Sequence, residues 1–236
     1  MYAILIEADP SSSLGGSCLR DLWNTATYLH KKYSSMSIFV YTNKQLTHTN
    51  LSKFPNICKF NVIHDFKNQL KNVMNNVNNG DTVFVLISGH GYQTPDRNND
   101  ETDGRDEYIR TNSGVLLDDD IHKIFISKNT KASLVKFVGL CDTCRSGTMF
   151  DLDNTWNGQT NINPKIYALG ACQDNQLAAC DIAEHVGFGG ALTVHMLEHD
   201  YLSMLIDGDI NDIKKVYHGM KKILSAFGQV PVFQYN

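Results

Sequence analysis

The sequence predicts an α/β fold with a mostly parallel, doubly wound sheet and helices on both of its faces. Short apolar runs, typical of buried strands, alternate along the chain with segments whose apolar residues recur at three and four positions. Two of these runs, Val83–Ile87 and Leu134–Leu140, are closely followed by short polar motifs. Ligands of such sheets bind beyond the carboxyl ends of the strands. We therefore expect the functional site at that edge.

Three strands and two helices are predicted before His90. The strand candidates are Tyr2–Ile6, Ile38–Tyr41 and Val83–Ile87. Apolar residues at helical spacing occur at Leu19, Leu22, Trp23, Ala26 and Leu29, and again at Phe66, Leu70, Val73, Met74 and Val77. Pro10 and three serines separate the first strand from the first helix, and Gly80 ends the second helix.

The segment between His90 and the fourth strand is more polar. Residues 92–106 contain Pro95 and Gly104 and are predicted to form a loop. Glu107–Leu117 is predicted to form a hairpin, and Asp118–Ser127 a helix, because acids at a helix start are favoured by the helix dipole.

We expect a single domain over residues 1–236, with residues 1–150 and 166–236 as its two halves. Asp151–Pro164 shows no periodicity, so residues 151–165 are predicted to be a linker. The elements predicted for the second half are a strand at Ile166–Ala171, helices at Gly189–Leu205 and Ile210–Phe227, and a strand at Val230–Phe233. Pro231 favours an edge position for this last strand.

Composition indicates a globular protein without an affinity for polyanions. The 236 residues are 42% hydrophobic and 19% charged, and the net charge is −4. We therefore expect neither a nucleic-acid nor a membrane partner. Because no signal peptide or bilayer-spanning run is visible, a cytoplasmic location is expected, with the six cysteines reduced.

His90 and Cys144 are the chemically most informative residues. His90 lies between two glycines at the end of the third strand, and Cys144 follows the fourth strand. A cysteine needs a neighbouring base or cation to become a nucleophilic thiolate at neutral pH, and histidine can provide it. Cys144 comes 54 positions after His90, close to the spacing of about 50 residues in caspases.

Seven motifs, in order along most of the chain, strengthen this interpretation. They are Leu14-Gly15-Gly16 through Asp21, Ser88–Gly91, Asp103–Glu107, Gly114–Ile121, Asp142–Gly147, Cys172–Gln176 and Gly190–Thr193. With these motifs the chain resembles a metacaspase without a prodomain, in the caspase–haemoglobinase clan of cysteine peptidases. The resemblance implies the caspase–haemoglobinase fold and an endopeptidase activity on proteins or peptides.

The same resemblance implies roles for individual residues. His90 and Cys144 would be the catalytic dyad, and the amides of Gly91 and Cys144 the oxyanion hole. A pocket that binds arginine or lysine before the scissile bond would contain Cys18, Asp21, Ser88 and Asp142.

The resemblance also implies activation by calcium, whose ligands would be Asp106, Asp118, Asp119 and Asp151. An open surface loop predicts weak affinity, on the order of 10⁻⁴–10⁻³ M. No organic cofactor is expected, and the enzyme is expected to be a monomer.

Three positions depart from the family pattern. Arg145 stands where the family usually has a histidine, Ala178–Cys180 replaces Ser-Ala-Asp, and the first strand ends in Glu7-Ala8-Asp9-Pro10 instead of Gly-Ile-x-Tyr. These changes are expected to affect rate and specificity, since the dyad itself is intact.

Two other function classes stay open at this point. Cys141 and Cys144 form a Cys-x-x-Cys pair that could belong to a metal or redox module, although no second ligand pair is visible. The chain could also be an inactive homologue that acts by binding, for example as a decoy for a partner protease.

Overall fold

A seven-stranded sheet forms the centre of the protein. The structure is a computed structural model and describes residues 1–42, 66–99, 101, 103–126, 135–158, 164–184 and 187–236. Across the sheet the strands are β2 (Ser37–Tyr41), β1 (Tyr2–Ala8), β3 (Thr82–Gly89), β7 (Lys136–Thr143), β9 (Ile166–Gly170), β12 (Val232–Tyr235) and β8 (Asn154–Trp156). The first five are parallel, and β12 is antiparallel to both its neighbours. The predicted fold class is confirmed.

Helices cover both faces of this sheet. One face carries α1 (Ser17–Lys32), α4 (Ala191–Glu198), α5 (Tyr201–Asp207) and α6 (Ile210–Leu224), and the other carries α2 (Phe66–Asn76), α3 (Asp118–Ile121) and a π-helical turn (His122–Ile126). Ala3 and Leu5 of β1 pack into the first core, whereas Ile4 and Ile6 pack into the second. Burial on both faces explains why the strands are continuous apolar runs. Within the described ranges, no helix is long and apolar enough to cross a membrane.

A second sheet begins directly after His90. It is antiparallel and contains β4 (Gly91–Pro95), β5 (Arg105–Thr111) and β6 (Gly114–Leu117), of which β5 and β6 are the predicted hairpin. The loop predicted for residues 92–106 is wrong at both ends: residues 92–95 belong to β4, and Arg105 and Asp106 begin β5. The rings of Tyr92 in β4 and Tyr108 in β5 stack on each other across the two strands, with their centroids 5.2 Å apart. Such cross-strand packing stabilises a strand whose own sequence is polar. A further hairpin joins β10 (Ile182–Glu184) and β11 (Gly187–Gly189).

Three predicted helices have different boundaries. Gly189–Leu205 contains two helices, α4 and α5, because Asp200 between them adopts a left-handed conformation with φ 55°. The segment that begins at Asp118 forms α3 and then the π-helical turn, and Ser127 lies outside the described residues. The last helix ends at Leu224 and is followed by a 3₁₀ turn over Ser225–Phe227.

The predicted linker contains the short strand β8. Trp156 of β8 is almost fully buried and packs on Phe233 of β12 and Tyr217 of α6. Because β8 pairs with β12, the edge position that Pro231 predicted for the last strand is wrong. Pro231 lies just before β12, where its missing amide hydrogen removes no hydrogen bond from the sheet.

The carboxyl ends of β1, β3 and β7 lie side by side. Ala8 pairs with Gly89, and Gly89 pairs with Thr143. The chain leaves β1 towards β2 and returns on the other side of β1 to form β3, so the direction of winding changes here. Open α/β sheets bind their ligands at such a point.

Candidate active site

His90 and Cys144 line one pocket at the carboxyl edge of the sheet. His90 follows β3, and its amide donates to the carbonyl of Ala8 at 2.9 Å, while Cys144 follows β7. The pocket has a volume of about 100 Å³. The two side chains face it without a hydrogen bond between them, and such contacts often tighten only when substrate binds. The structure therefore brings the predicted catalytic pair together.

The backbone of Gly91 packs directly on the backbone of Cys144. A Cβ atom at Gly91 would lie 1.9 Å from the carbonyl oxygen of Cys144, so only glycine fits. This proximity is a requirement for an oxyanion hole that uses the amides of both residues. The sulfur of Cys144 also accepts a hydrogen bond from the amide of Ala178 at 3.4 Å.

The residues predicted for a specificity pocket all line the same cavity: Cys18, Asp21, Ser88 and Asp142. Asp21 of α1 accepts hydrogen bonds from Oγ of Ser88 at 2.6 Å and from the amide of Gly190 at 3.0 Å. Asp142 accepts one from the amide of Thr193 at 2.7 Å through its Oδ2 atom. Its Oδ1 atom is buried and has no hydrogen-bond partner among the residues described.

The two carboxylates destabilise each other's charge in this pocket. No lysine or arginine of the described chain lines it. Burial raises the pKa of Asp142 to about 6, although hydrogen bonds from Thr193 act in the opposite direction. Burial, and then the charge of Asp142, raise the pKa of Asp21 well above its usual value. A cationic side chain that enters the pocket would offset both effects.

Gly190 and Thr193 are site residues whose roles the sequence did not reveal. A Cβ atom at Gly190 would lie 2.3 Å from Oδ2 of Asp142, so this glycine makes room for the carboxylate. Both residues act through their backbone amides. Backbone donors leave no side-chain signal in a sequence, and the motif Gly190–Thr193 was recognised only by resemblance.

Arg145 supports the loop that carries Cys144. Its guanidinium donates to Oε1 of Gln93 in β4, and its amide donates to the carbonyl of Gln176 at 3.1 Å. Gln93 in turn donates to Glu107 at 2.8 Å. Arg145 does not line the pocket. The replacement of the family's usual histidine by this arginine therefore changes the contacts of the loop and leaves the lining of the pocket unchanged.

The contact between Gln93 and Glu107 leads to a group of three carboxylates. Oxygens of Glu101, Glu107 and Asp118 are within 4.8 Å of one another. Burial raises the pKa of Glu107 to about 7 and that of Asp118 to about 8. Carboxylate oxygens are the ligands that calcium prefers, so the chemistry of this group fits a hard cation.

The four predicted calcium ligands do not lie together in one group of carboxylates. Only Asp118 belongs to that carboxylate group. Asp119 and Asp151 line a neighbouring polar pocket of about 530 Å³, which Glu101 also lines. Asp106 is buried in β5. Glu101 and Glu107 were missed because two acids in a generally acidic segment carry no distinct spacing signal.

Cys141 and Cys144 do not form a common site. Cys141 is fully buried in the apolar core that includes Ile87 and Phe137, whereas Cys144 faces the pocket. All the cysteines in the described ranges are free thiols, and Cys58 lies outside those ranges. The metal or redox alternative therefore loses its geometric support.

Comparison with known proteins agrees with the predicted family. Residues 3–153, which include His90 and Cys144, match a family described as "Metacaspase, peptidase C14 domain". The chain is 31% identical over 164 residues to Metacaspase-1B of Aspergillus oryzae, an alignment that covers 66% of this chain and 36% of that protein. It is 32% identical over 148 residues to Metacaspase-1A of the same fungus, covering 60% and 33%. The chain thus spans about a third of the length of these relatives.

The fold is also similar to a solved structure. Protein GSU0716 from Geobacter sulfurreducens has a TM-score of 0.58 and 21% sequence identity, and the match covers 98% of this chain and 91% of that one. This similarity concerns the fold alone.

Asp142→Asn should stabilise the fold at neutral pH. Since the pKa of Asp142 is raised from 3.8 to about 6, wild-type stability is lost as pH rises through that interval, and the asparagine avoids the loss. Urea unfolding should show a gain on the order of 1 kcal/mol at about pH 7 and almost none below about pH 4. The control Asp153→Asn, at an exposed carboxylate, should show no such difference. A gain that is equal at both pH values would contradict the explanation.

Proposed function

This chain belongs to the metacaspase family of C14 cysteine peptidases, and from that premise we propose that it is an endopeptidase whose catalytic dyad is His90 and Cys144. The observation that carries the proposal is their common position. Both follow adjacent parallel strands and face one pocket, whose remaining wall contains two buried carboxylates. A nucleophile, a base and a binding site for a charged side chain are thereby within reach of one peptide.

In the proposed reaction the sulfur of Cys144 attacks the carbonyl carbon of the scissile bond, and the thiol proton passes to His90. The amides of Gly91 and Cys144 stabilise the charge that develops on the carbonyl oxygen, which lowers the barrier by about 3 kcal/mol. His90 then gives the proton to the leaving amine, and a thioester on Cys144 is left. Water, deprotonated by His90, hydrolyses this thioester and restores the thiol.

The residue before the scissile bond is proposed to be arginine or lysine. Oδ1 of Asp142 is a buried acceptor without a partner among the described residues, while Ser88, Gly190 and Thr193 fix the orientation of the two carboxylates. An arginine fork can donate to carboxylates with directional, charge-assisted hydrogen bonds. An aspartyl side chain would instead bring a third negative charge to the pocket, which is unfavourable.

Calcium is proposed to stimulate the enzyme. Its ligands would come from Asp118 with Glu101 and Glu107, and from the family positions Asp106, Asp119 and Asp151. The cation would neutralise repulsion among these acids. Two contacts connect them to the loop after Cys144: Thr148 donates to Glu107, and Gln93 joins Glu107 to Arg145.

We also propose that the enzyme acts as a monomer. In the described part of the sheet β12 is covered by β8, so the edge on this side is a strand of only three residues, which is short for pairing with a second copy. A cytoplasmic location, and the absence of nucleic-acid and membrane partners, stay predictions.

Cys144→Ala and His90→Ala should each lower peptide cleavage by about 10³-fold or more, and the double variant should be little worse, because the two groups act as one unit. The measurement is cleavage of a fluorogenic arginyl peptide with calcium present. Cys141→Ala, which removes a buried thiol outside the pocket, is the control and should stay active. Wild-type activity in Cys144→Ala would refute the dyad. Peptide binding without turnover in the wild type would favour an inactive homologue that acts by binding.

Arginyl and lysyl substrates should be cleaved and aspartyl substrates should not. In a panel that varies only the residue before the scissile bond, Asp142→Asn should lose about 10²-fold or more in kcat/KM on the arginyl peptide, since a desolvated charge pair is lost. The control is Asp207→Asn, at an exposed carboxylate that lines neither the specificity pocket nor the polar pocket of the proposed calcium ligands. Preference for the aspartyl peptide would overturn the proposed specificity.

Millimolar calcium should raise activity, and magnesium should substitute poorly because it keeps its waters and requires octahedral geometry. Glu107→Gln combined with Asp118→Asn should abolish the response. The control is Asp120→Asn on the same helical turn, because Asp120 pairs with Lys67 at 2.5 Å and lies outside the carboxylate group. Equal activity of the wild type in calcium and in chelator would show that calcium does not regulate this chain.

A further inference from the structure

Asp9 and Ser13 contact His90 on the side of the ring that carries Nε2. Oγ of Ser13 lies 2.7 Å from Nε2 of His90, and Oδ1 of Asp9 lies 3.8 Å from the same atom. The side chain of Asp9 is 1% exposed, whereas that of His90 is 29% exposed. Asp9 directly follows β1, where the sequence departs from the family pattern. The dyad mechanism assigns no role to either residue.

The loop after β1 is folded around the carboxylate of Asp9. Oδ1 accepts hydrogen bonds from the hydroxyl of Ser11 at 3.1 Å and from the amide and hydroxyl of Ser13 at 3.0 and 3.2 Å, and Oδ2 accepts one from the amide of Leu14 at 3.0 Å. Although burial acts to raise the pKa of Asp9, these hydrogen bonds keep it below its usual value. The carboxylate is therefore ionised at neutral pH and can only accept hydrogen bonds.

The contacts of Ser13 favour one position for the proton on His90. The Ser13 hydroxyl has one hydrogen, and Oδ1 of Asp9 and Nε2 of His90 both lie within reach of it. Because the ionised carboxylate is the stronger acceptor, this hydrogen is assigned to Asp9, and the oxygen of Ser13 then accepts from a protonated Nε2. In neutral imidazole this leaves Nδ1 with the lone pair.

We propose that Asp9, acting through Ser13, is a positioning residue that fixes the Nε2–H tautomer of His90, so that Nδ1 exchanges the proton with Cys144 and with the leaving amine. This inference rests on the proposed peptidase function. When Nδ1 takes the thiol proton, the imidazolium that forms is stabilised by the negative charge of Asp9 at 3.8 Å. Asp9 and Ser13 themselves give up no proton.

The other ionisable groups of the pocket do not take the place of Asp9 beside Nε2 of His90. The ionisable side chains that line it besides His90 are Cys18, Asp21, Asp142, Cys144 and Cys180. Asp21 and Asp142 accept their hydrogen bonds from Ser88, Gly190 and Thr193. The ring of Tyr92 is centred 6.1 Å from that of His90. In the part of the chain described, Asp9 is the one carboxylate within ion-pair distance of His90.

Steady-state kinetics on an arginyl peptide separates this role from a purely structural one. Ser13→Ala should lower kcat about 10-fold and Asp9→Asn up to about 10²-fold, with KM nearly unchanged, because Asp21 and Asp142 are untouched. Ser13→Thr keeps the hydroxyl at an exposed position and should restore kcat. Ser11→Ala is the control, since it removes a hydroxyl that contacts Asp9 and Ser13 but not His90. It leaves the contact between Ser13 and His90 in place, so it should change kcat about twofold at most. Wild-type kcat in Ser13→Ala would overturn the proposal.

The tautomer itself can be observed by ¹⁵N NMR of the histidines in the Cys144→Ala background, at a pH where imidazole is neutral. His90, identified by the signal missing after His90→Ala, should carry its hydrogen on Nε2, and Ser13→Ala should shift it to a mixture of tautomers. A hydrogen on Nδ1 in the Cys144→Ala protein would overturn the inference. Because this readout needs no activity, failure of the peptidase proposal, seen as wild-type cleavage by Cys144→Ala, stays distinguishable from failure of the tautomer.

Discussion

The register of β1, β3 and β7 is the constraint on which the candidate active site depends. The strands end side by side at Ala8, Gly89 and Thr143. The next residue of each strand, which is Asp9, His90 or Cys144, therefore lies at the same edge of the sheet. A slip of one position in any of these strands would turn every side chain to the opposite face. Burial on both faces prevents it, since Ala3 and Leu5 fill one core while Ile4 and Ile6 fill the other. Hydrophobic packing of the strands thus fixes the positions of the polar residues that follow them, although these polar residues contribute little to the packing.

The proposed specificity pocket combines parts of both halves of the chain. Asp21 and Asp142 come from α1 and β7, but the backbone donors that orient them come from Gly190 and Thr193. Keeping two carboxylates buried without a cationic partner lowers the stability of the folded protein at neutral pH. The same unfavourable charge favours a cationic side chain of a substrate. Stability is therefore reduced at the place where binding selectivity would arise.

A chain of hydrogen bonds connects the group of Glu101, Glu107 and Asp118 to the loop that carries Cys144. Glu107 accepts from Thr148 and from Gln93, and Gln93 accepts from Arg145, the residue after Cys144. Neutralising charge on Glu107 would change the strength of both contacts. Through Gln93, Arg145 connects Glu107 to the loop that carries Cys144, so a cation bound near Glu107 would affect that loop. The family usually has a histidine at the position of Arg145.

The sequence by itself determined most strands of the central sheet and the helices α1 and α2, because apolar periodicity is a short-range signal. His90 and Cys144 followed from local motifs, and the candidate pocket residues followed from the family resemblance. The sequence did not determine β4, which is stabilised by ring stacking across strands, or the break at Asp200, which depends on a single backbone angle. The contacts of Ser13 with His90 and of Thr193 with Asp142 join residues 77 and 51 positions apart. Only the tertiary structure could decide them, because the sequence names side chains and not which distant backbone amide or hydroxyl each of them meets.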